Sequence, residues 1–283
     1  MTKITCIVLT KNEELTLPSC LKSLQWVDEL IVLDSGSTDR TIDIARKFGA
    51  KVYVHIPQSG YSPGKQRNWA IDNCGISNSW VFFLDADEIV TDELRKEILS
   101  VIENPGGKIG FRISHKNMFM GKWIRRVTFY PSWHDRILRK GTLRYSEDKR
   151  DNFIECCSDL IGVIKEPIVH HYTSKGIEDR IARYNDYTSQ WAEYWMNELN
   201  KEVNWKDLLC IKDKYKRKQA IKKLFIRFPE IYPFSRFLYT YFVRLGFLDG
   251  YPGFVYCLLM LQYDLMLSLK VIESRRKRKG LPF

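Results

Sequence analysis

Three times in the first ninety residues a short apolar, β-rich run stops and a polar cluster follows at once. This alternation is the strongest limit on what the chain can fold into. Ile4–Thr10 (ITCIVLT) gives way to Lys11–Glu14, and Trp26–Leu33 gives way to Asp34-Ser-Gly-Ser-Thr-Asp39. Trp80–Leu84 (WVFFL) gives way to Asp85-Ala-Asp-Glu88. Apolar runs of this length read as buried strands. Between them lie segments with helical spacing: Leu15–Leu24, a stretch from a Thr38 or Asp39 cap through Phe48, and Lys65–Cys74 behind a Gly60–Gly64 loop. Lys51–His55 adds a strand, and Thr91–Ile102 adds a helix with Thr91 as its N-cap. Strands and helices in alternation predict an α/β fold, with a mostly parallel sheet and helices on both faces. Ligands of such sheets bind beyond the carboxyl ends of the strands. All three polar clusters fall there, so one shared site is expected.

The second half is less regular. Gly110–His115 reads as a further strand and Asp179–Leu199 as a helix rich in Tyr and Trp. Lys201–Arg227 is a basic helical stretch, broken by the prolines of Phe228–Pro233. Phe234–Leu248 and Pro252–Ile272 are apolar helical candidates around a Gly250–Gly253 turn. We divide the chain into a catalytic domain, 1–200, and a basic, amphipathic, helical C-terminal region, 201–283. With 45% hydrophobic and 28% charged residues, a disordered chain is excluded. The formal charge of +11 is uneven: residues 1–100 are nearly balanced, and the excess follows residue 107. A basic surface attracts anionic lipid or nucleic acid. Nucleic-acid binding needs a basic stripe beside aromatics, whereas here the cations crowd into late helices and the tail Ser274-Arg-Arg-Lys-Arg-Lys279. That pattern suits an interfacial helix on an anionic membrane. Nucleic acid is not expected as a partner.

Seven cysteines with no Cys-x-x-Cys repeat give neither a zinc spacing nor a disulfide framework, so a reducing compartment is expected. No signal-peptide pattern follows Met1, and the longest apolar stretch, Gly253–Ile272, is broken by Gln262, Asp264 and Lys270. The expected location is cytoplasmic, peripheral on the inner face of the cell membrane.

Asp85 and Asp87, one residue apart past a buried strand, can face one cation. Mg²⁺ and Mn²⁺ take oxygen ligands and bridge to phosphates. An isolated Asp-x-Asp is more often a helix cap beside a surface charge; the strand ahead and Glu88 after it strengthen the metal reading. Asp34 and its loop read as an Asx-turn and helix cap, or as a contact to a base or ribose, and both can hold together. Lys65, Arg67 and Asn68 at a helix start read as a solvated face or as a diphosphate contact.

Ile7-Val-Leu-Thr-Lys-Asn-Glu13, Ile31-Val-Leu-Asp-Ser-Gly-Ser-Thr-Asp39, Gly64-Lys-Gln-Arg-Asn-Trp-Ala70 and Phe83-Leu-Asp-Ala-Asp-Glu88 occur in that order. Together they resemble glycosyltransferase family 2, of GT-A fold, and most of all its lipopolysaccharide core β-glucosyltransferase branch. The second half is similar more loosely, through His134-Asp-Arg-Ile-Leu-Arg139 and His170-His-Tyr-Thr173. The resemblance implies a Rossmann-like catalytic domain that binds a nucleoside diphosphate sugar, UDP-linked, with UDP-glucose as the expected donor, together with Mg²⁺ or Mn²⁺. It implies an acceptor that is a glycan or is lipid-linked. Thr10, Asn12 and Glu13 would line the nucleotide pocket, Asp34 would meet the base, and Asp39 would support that loop. Lys65 and Arg67 would approach the diphosphate. Asp85 would lie near ribose and sugar, and Asp87 would ligate the metal with His171 or His170.

An inverting transferase also needs a carboxylate base. Relatives of this branch carry a Val-His-Glu-like segment after the Arg-x-x-Arg element, and Tyr145–Glu155 has no His-Glu. Asp151 is the nearest carboxylate by position, with Glu147, Asp148 and Glu155 as rivals. Two other readings stand beside the enzyme: a relative that binds sugar nucleotide without turnover, and a basic protein that binds membrane or nucleic-acid surfaces.

Overall fold

The computed structural model describes residues 2–58, 62–147, 154, 157–198 and 227–282. The basic stretch Lys201–Arg227, apart from its last residue, and the acids Asp148, Asp151 and Glu155 lie outside the described residues. Contacts divide the chain into two units. The first comprises 1–123 and 128–174, and the second comprises 124–127 and 175–283. The helix Gly176–Glu198 thus groups with the second unit, although composition drew the line at 200.

The first unit is built on one nine-stranded sheet. Its strands are β1 (Ile4–Thr10), β2 (Glu29–Asp34), β3 (Lys51–Val54), β4 (Trp80–Asp85), β5 (Glu88–Ile89), β6 (Gly110–Phe119), β7 (Lys122–Trp123), β8 (Trp133–Arg139) and β9 (Ile161–His171). The order is β3-β2-β1-β4-β8-β6-β9-β5, with β7 paired to β6. The first four strands run parallel, as the alternating pattern requires. Beyond β4 the sheet is mixed: β8 is antiparallel to β4 and β6, and β9 is parallel to β6. Four helices belong to this unit: α1 (Leu17–Lys22), α2 (Thr41–Lys47), α3 (Pro63–Asn73) and α4 (Asp92–Glu103). This is the α/β arrangement that the alternating pattern predicts.

Every residue of β1 is buried. Alternate side chains serve opposite faces of a strand. Ile4, Cys6 and Val8 join a core with α1 and α4, and Ile7 and Leu9 join a second core with Ala70 of α3 and Cys74 just past its end. A sheet covered on both faces needs strands apolar on both sides, which is why these strands read as continuous apolar runs.

Helix boundaries follow local chemistry. Thr91 caps α4, its hydroxyl accepting from the Leu94 N–H at 3.2 Å. The start of α3 lies two residues earlier than the spacing predicts, because Ser62 accepts from the Lys65 N–H and Pro63 fills the first turn, where a missing N–H costs nothing. Gly64 therefore belongs to the helix and not to the loop. A Cβ there would run into the Ser146 carbonyl, so glycine lets the segment after β8 approach. The strand read over Trp26–Leu33 begins only at Glu29, after a turn.

The second unit contains α5 (Gly176–Glu198), α6 (Tyr232–Leu238), a π-turn (Tyr239–Val243), a 3₁₀ turn (Gly246–Asp249) and α7 (Gly250–Arg278). The turn read at Gly250–Gly253 is instead the first turn of α7, where Pro252 is tolerated. That helix runs on through most of the basic tail. Its core joins Trp195 and Met196 of α5 to Leu267 and Val271 of α7.

At the amino-terminal end of the sheet, Glu29 ties three strands together. Its carboxylate accepts from Thr5 at 2.7 Å, from the Ser77 N–H at 2.9 Å and from Lys51 at 2.6 Å. Burial opposes its ionisation, but these donors, Lys51 foremost, outweigh burial and lower its pKa from 4.5 to about 2. A depressed carboxyl stabilises the fold above its unfolded pKa and loses that contribution as pH falls toward the folded value. We therefore expect Glu29→Gln to cost on the order of 1–2 kcal/mol at neutral pH, with the exposed Lys51 partner discounted. The variant should also lose less stability than the wild type between pH 4.5 and 2. Denaturant melts across that range check it; parallel pH profiles would refute the assignment.

Candidate active site

The sheet's register brings the polar clusters of the sequence together. Thr10 pairs with Asp34 on the neighbouring strand, and Leu9 pairs with Asp85 on the other side. Adjacent strands lie about 4.8 Å apart, so the carboxyl ends of β2, β1 and β4 present Asp34, Thr10 and Asp85 along one edge.

Asp34 is fully buried. One carboxylate oxygen accepts from the N–H groups of Gly36 and Ser37, at 2.9 and 2.7 Å. The other accepts from the hydroxyls of Thr10 and Ser37, at 2.9 and 2.5 Å. Four donors fill the lone pairs of a carboxylate. In this structure Asp34 shapes its loop, with Gly36 in the left-handed region at φ +88°. Asn12, at φ +54°, zips that loop to the one after β1. Its Oδ1 accepts from the Thr38 N–H at 2.8 Å, and its own N–H donates to Ser37 at 2.7 Å. Asn is among the few residues that take this conformation readily. The Glu13 N–H donates to Thr41 Oγ1 at 2.7 Å, its carboxylate accepts from Thr16 at 2.7 Å, and Asp39 accepts from the Glu14 and Thr41 N–H groups.

At the end of β4 the charges are paired: the half-buried Asp85 meets two buried arginines. Arg136 is 3% exposed; its Nη2 donates to Asp85 at 2.9 Å and to Glu88 at 2.5 Å. Arg67, 2% exposed, reaches the other Asp85 oxygen at 3.4 Å and lies over the Tyr145 ring. Burial alone would raise the Asp85 pKa; Arg136 and then Arg67 outweigh it and hold this carboxyl well below the usual carboxylate range. Glu88 accepts from the Asp85 N–H at 2.9 Å and lies 3.0 Å from His115 Nε2. Burial pushes its carboxyl up against the pull of Arg136. His115 stacks on His134, ring centroids 4.1 Å apart, and burial lowers the pKa of both. Nε and Nη1 of Arg67 and of Arg136 are buried without hydrogen-bond partners.

Arg136 is the residue the sequence reading missed. It opens the Arg-x-x-Arg element of His134–Arg139, but that element was read only as part of the family resemblance and given no role. Its position comes from a bulge: Phe111 pairs with Ile137 but Arg112 pairs with Asp135, leaving Arg136 as the extra residue of β8. Bulges re-aim side chains in this way, often beside active sites. The available signal was that Arg-x-x-Arg element, with an arginine directly ahead of the apolar pair Ile137-Leu138.

Asp87 lies on the turn between β4 and β5, and β9 holds that turn. Glu88 pairs with His170, and the Asp87 carbonyl accepts from the His171 N–H at 3.0 Å. Successive strand residues point to opposite faces. The His170 ring accordingly meets Asp87, Nε2 to Oδ2 at 3.4 Å, and its Nδ1 lies 2.7 Å from Asn117 Oδ1. The His171 side chain is exposed. Burial would lower the His170 pKa, but the hydrogen bond and charge of Asp87 raise it.

Among the described residues no three His, Cys, Asp or Glu side chains form a metal cage. Asp87 and His170 nevertheless make a fitting two-ligand donor set. Asn117 fixes Nδ1, so Nε2 faces the carboxylate, as the outer partner of a ligating imidazole does. Ions of this kind take their remaining oxygens from water and substrate phosphate. Asp85, occupied by two arginines, does not belong to that set.

Of the other expected residues, Lys65 is exposed on α3 while Arg67 is buried. Glu147 is exposed, with Oε1 3.3 Å from Asn68 Nδ2. The same Asn68 grips the backbone of Tyr145 at both ends of its amide, accepting from its N–H and donating to its carbonyl, each at 2.9 Å.

The pattern of the family described as Glycosyl transferase family 2 matches residues 5–167, more than half of the 283-residue chain. An uncharacterized glycosyltransferase of Rickettsia typhi is 28% identical over 265 residues, covering 90% of this chain and 82% of that protein. The lipopolysaccharide core biosynthesis glycosyltransferase LpsC of Rhizobium meliloti is 24% identical over 194 residues, covering 67% of this chain and 70% of that protein. Among solved structures, glucosyl-3-phosphoglycerate synthase from Mycobacterium tuberculosis, in complex with Mn²⁺, UDP and glucosyl-3-phosphoglycerate, is similar at a TM-score of 0.45 and 21% identity, over 64% of this chain and 75% of that one. The match across the whole parallel half of the sheet shows that the chain belongs to glycosyltransferase family 2.

Proposed function

We propose that this glycosyltransferase moves a sugar with inversion from a UDP-linked donor, UDP-glucose being the first to test, to a glycan or lipid-linked acceptor of cell-envelope polysaccharide or lipopolysaccharide. The name of LpsC supports the envelope assignment. One observation carries the chemistry: at the carboxyl end of β4, Asp85 is fixed between two buried arginines while Asp87, two residues on, meets His170.

The roles follow from that arrangement. The zipped loops around Thr10, Asn12, Glu13 and Asp34 form a rigid rim for the nucleotide. Asp85, ionised and immobile, is suited to accept from ribose or sugar hydroxyls. Arg67, with Lys65 at the helix surface, puts positive charge where the diphosphate would lie. Asp87 and His170 would hold Mg²⁺ or Mn²⁺, which when bound neutralises charge on the departing diphosphate. The acceptor hydroxyl oxygen attacks the anomeric carbon as the bond from that carbon to the phosphate oxygen breaks. The hydroxyl proton passes to a carboxylate, and the bonding electrons leave with the nucleoside diphosphate. The base is drawn from Glu147, Asp148 and Asp151. A lipid-linked acceptor suits an enzyme held peripherally at the cytoplasmic face of the cell membrane.

Nucleoside diphosphate release from a panel of sugar nucleotides, with Mn²⁺, with Mg²⁺ and with chelator, tests the donor site. We expect metal-dependent release from a UDP-sugar. Asp87→Ala and His170→Ala should weaken the metal requirement's midpoint roughly tenfold or more, on the scale of lost metal-site partners, whereas His171→Ala stays within about twofold. UDP binding without release points to a relative lacking turnover. The absence of both binding and release would end the proposal.

The base is tested by Glu147→Gln, Asp148→Asn and Asp151→Asn under saturating acceptor. One of them should lower kcat by about 10²–10⁴ while leaving donor KM near the wild-type value, the size of general-base catalysis. Three variants with wild-type turnover would exclude all three carboxylates.

A further inference from the structure

The second unit is apolar on its inner and its outer face. Inward, Arg236 pairs with the buried Asp264 at 2.6 Å, and Asp249 accepts from the N–H groups of Arg126 and Val127. Outward, Phe234, Leu238, Phe242, Val243, Phe247 and Leu248 of α6 and the turns after it are each 43–69% exposed.

The helix α7 extends this face. At 100° per residue, Tyr251, Phe254, Leu258, Leu265, Leu269 and Ile272 fall in one narrow stripe. Gln262 alone interrupts it, and Arg276 ends it. The stripe lies opposite the buried Gly253, Tyr256, Asp264, Leu267 and Val271. Twelve large apolar residues between Ile231 and Leu258 are at least a third exposed. At roughly 150–250 Å² for each aromatic, they expose on the order of 1,000 Å², against a few hundred for the patches of ordinary monomers.

The charges tell what this face meets. Three charged side chains lie between Ile231 and Leu258: Arg236 and Asp249 are turned inward, and Arg244 is half-buried. At the far end of the stripe stand five consecutive cations, Arg275–Lys279. An aromatic-rich apolar face that ends in cations matches the interface of an anionic bilayer, apolar to the acyl boundary and basic to the headgroups. We propose that this face seats the second unit in such an interface, with α7 lying in the membrane plane.

By length and composition α7 could also span a bilayer. Spanning would strip Asp264 from Arg236, and Lys270 from the oxygens of Asn185, Thr188 and Ser189 that it binds at 2.5–2.9 Å. Ionisable groups without partners are expensive in hydrocarbon. The inference rests on the membrane clause of the proposed function and is independent of its sugar-transfer chemistry.

The test is flotation of the full chain with vesicles of phosphatidylcholine alone and of phosphatidylcholine with 30% phosphatidylglycerol, about the anionic share that gives a cell-like surface potential. The expected result is binding to the anionic vesicles. Leu238→Glu/Val243→Glu and, separately, Leu269→Glu should lower partitioning by about tenfold or more, consistent with burial of large apolar side chains. Arg276→Glu/Arg278→Glu should weaken binding to the anionic vesicles only. Thermal melts and UDP binding unchanged in these variants keep the readout separate from folding and from the donor site. Wild-type protein that stays unbound overturns the proposal, as does equal binding by the Glu variants. So does a dimer that Leu238→Glu/Val243→Glu converts to monomer without changing flotation, since the face would then seat a second copy.

Discussion

Arg136 is the interaction around which the first unit is arranged. One guanidinium nitrogen touches Asp85 and Glu88 and lies 3.0 Å from His115, all at the carboxyl end of β4. Buried charges of this kind gain little over an apolar core. Removing one partner, however, strands the others at a cost of about 3–5 kcal/mol. The arginine thus enforces more than it stabilises. Asp85 must stay ionised and aimed, Glu88 must fold back under the Asp85 N–H, and β8 must bulge where it does. With Glu88 held beneath, the turn can offer only Asp87 outward, toward His170. The geometry at the carboxyl end of β4 is in this sense set by a residue whose own nitrogens are buried.

The same logic applies at the loops after β1 and β2, where the partners of the one carboxylate are neutral donors. Asp34 spends its lone pairs on Gly36, Ser37 and Thr10, and Asn12 spends its amide on the facing loop. Two loops that would each be mobile alone become one rim, whose ordering entropy is lost on folding and not on ligand binding. Rigidity comes from backbone N–H groups, and side chains such as Lys65 remain at the surface. On the far side, Gly64 and Asn68 bring the start of α3 against residues 145–147. The helix bearing Arg67 and residues 145–147 are therefore tied to each other.

How much of this was legible follows from what periodicity can carry. The strands β1, β2 and β4 are buried on both faces, so their composition alone declares them, and strand-end clusters in a parallel sheet must converge. That logic placed Asp34 and Asp85, with Asp87 on the turn after β4, at one edge of the sheet. It could not find β9, where Lys165, Glu166 and Pro167 interrupt the apolar run, nor choose between His170 and His171. That choice depends on the pairing of Glu88 with His170, a register set by residues eighty positions apart. Arg136 was hidden for a related reason: a bulge shifts strand parity by one, and parity is all that a single strand's sequence records. The α3 boundary erred more simply, because Gly64 read as a loop residue while Ser62 and Pro63 were already building a helix start.

The second unit shows the opposite limit. A helix apolar on one face announces where its core lies, but α7 is apolar on two opposed faces, and its sequence cannot say which of them is inside. Packing resolves it through polar atoms. Asp264 and Lys270 lie toward the face that meets Arg236 and α5, because only there do they find partners. The stripe from Tyr251 to Ile272 contains one polar residue, Gln262, which carries no charge. A helix that buries Asp264 and turns Lys270 to partners on α5, while Leu258 and Leu269 stay exposed, inverts the usual arrangement for water. The inversion is stable where the outer medium is less polar than the inner one, and that is the condition a bilayer interface supplies.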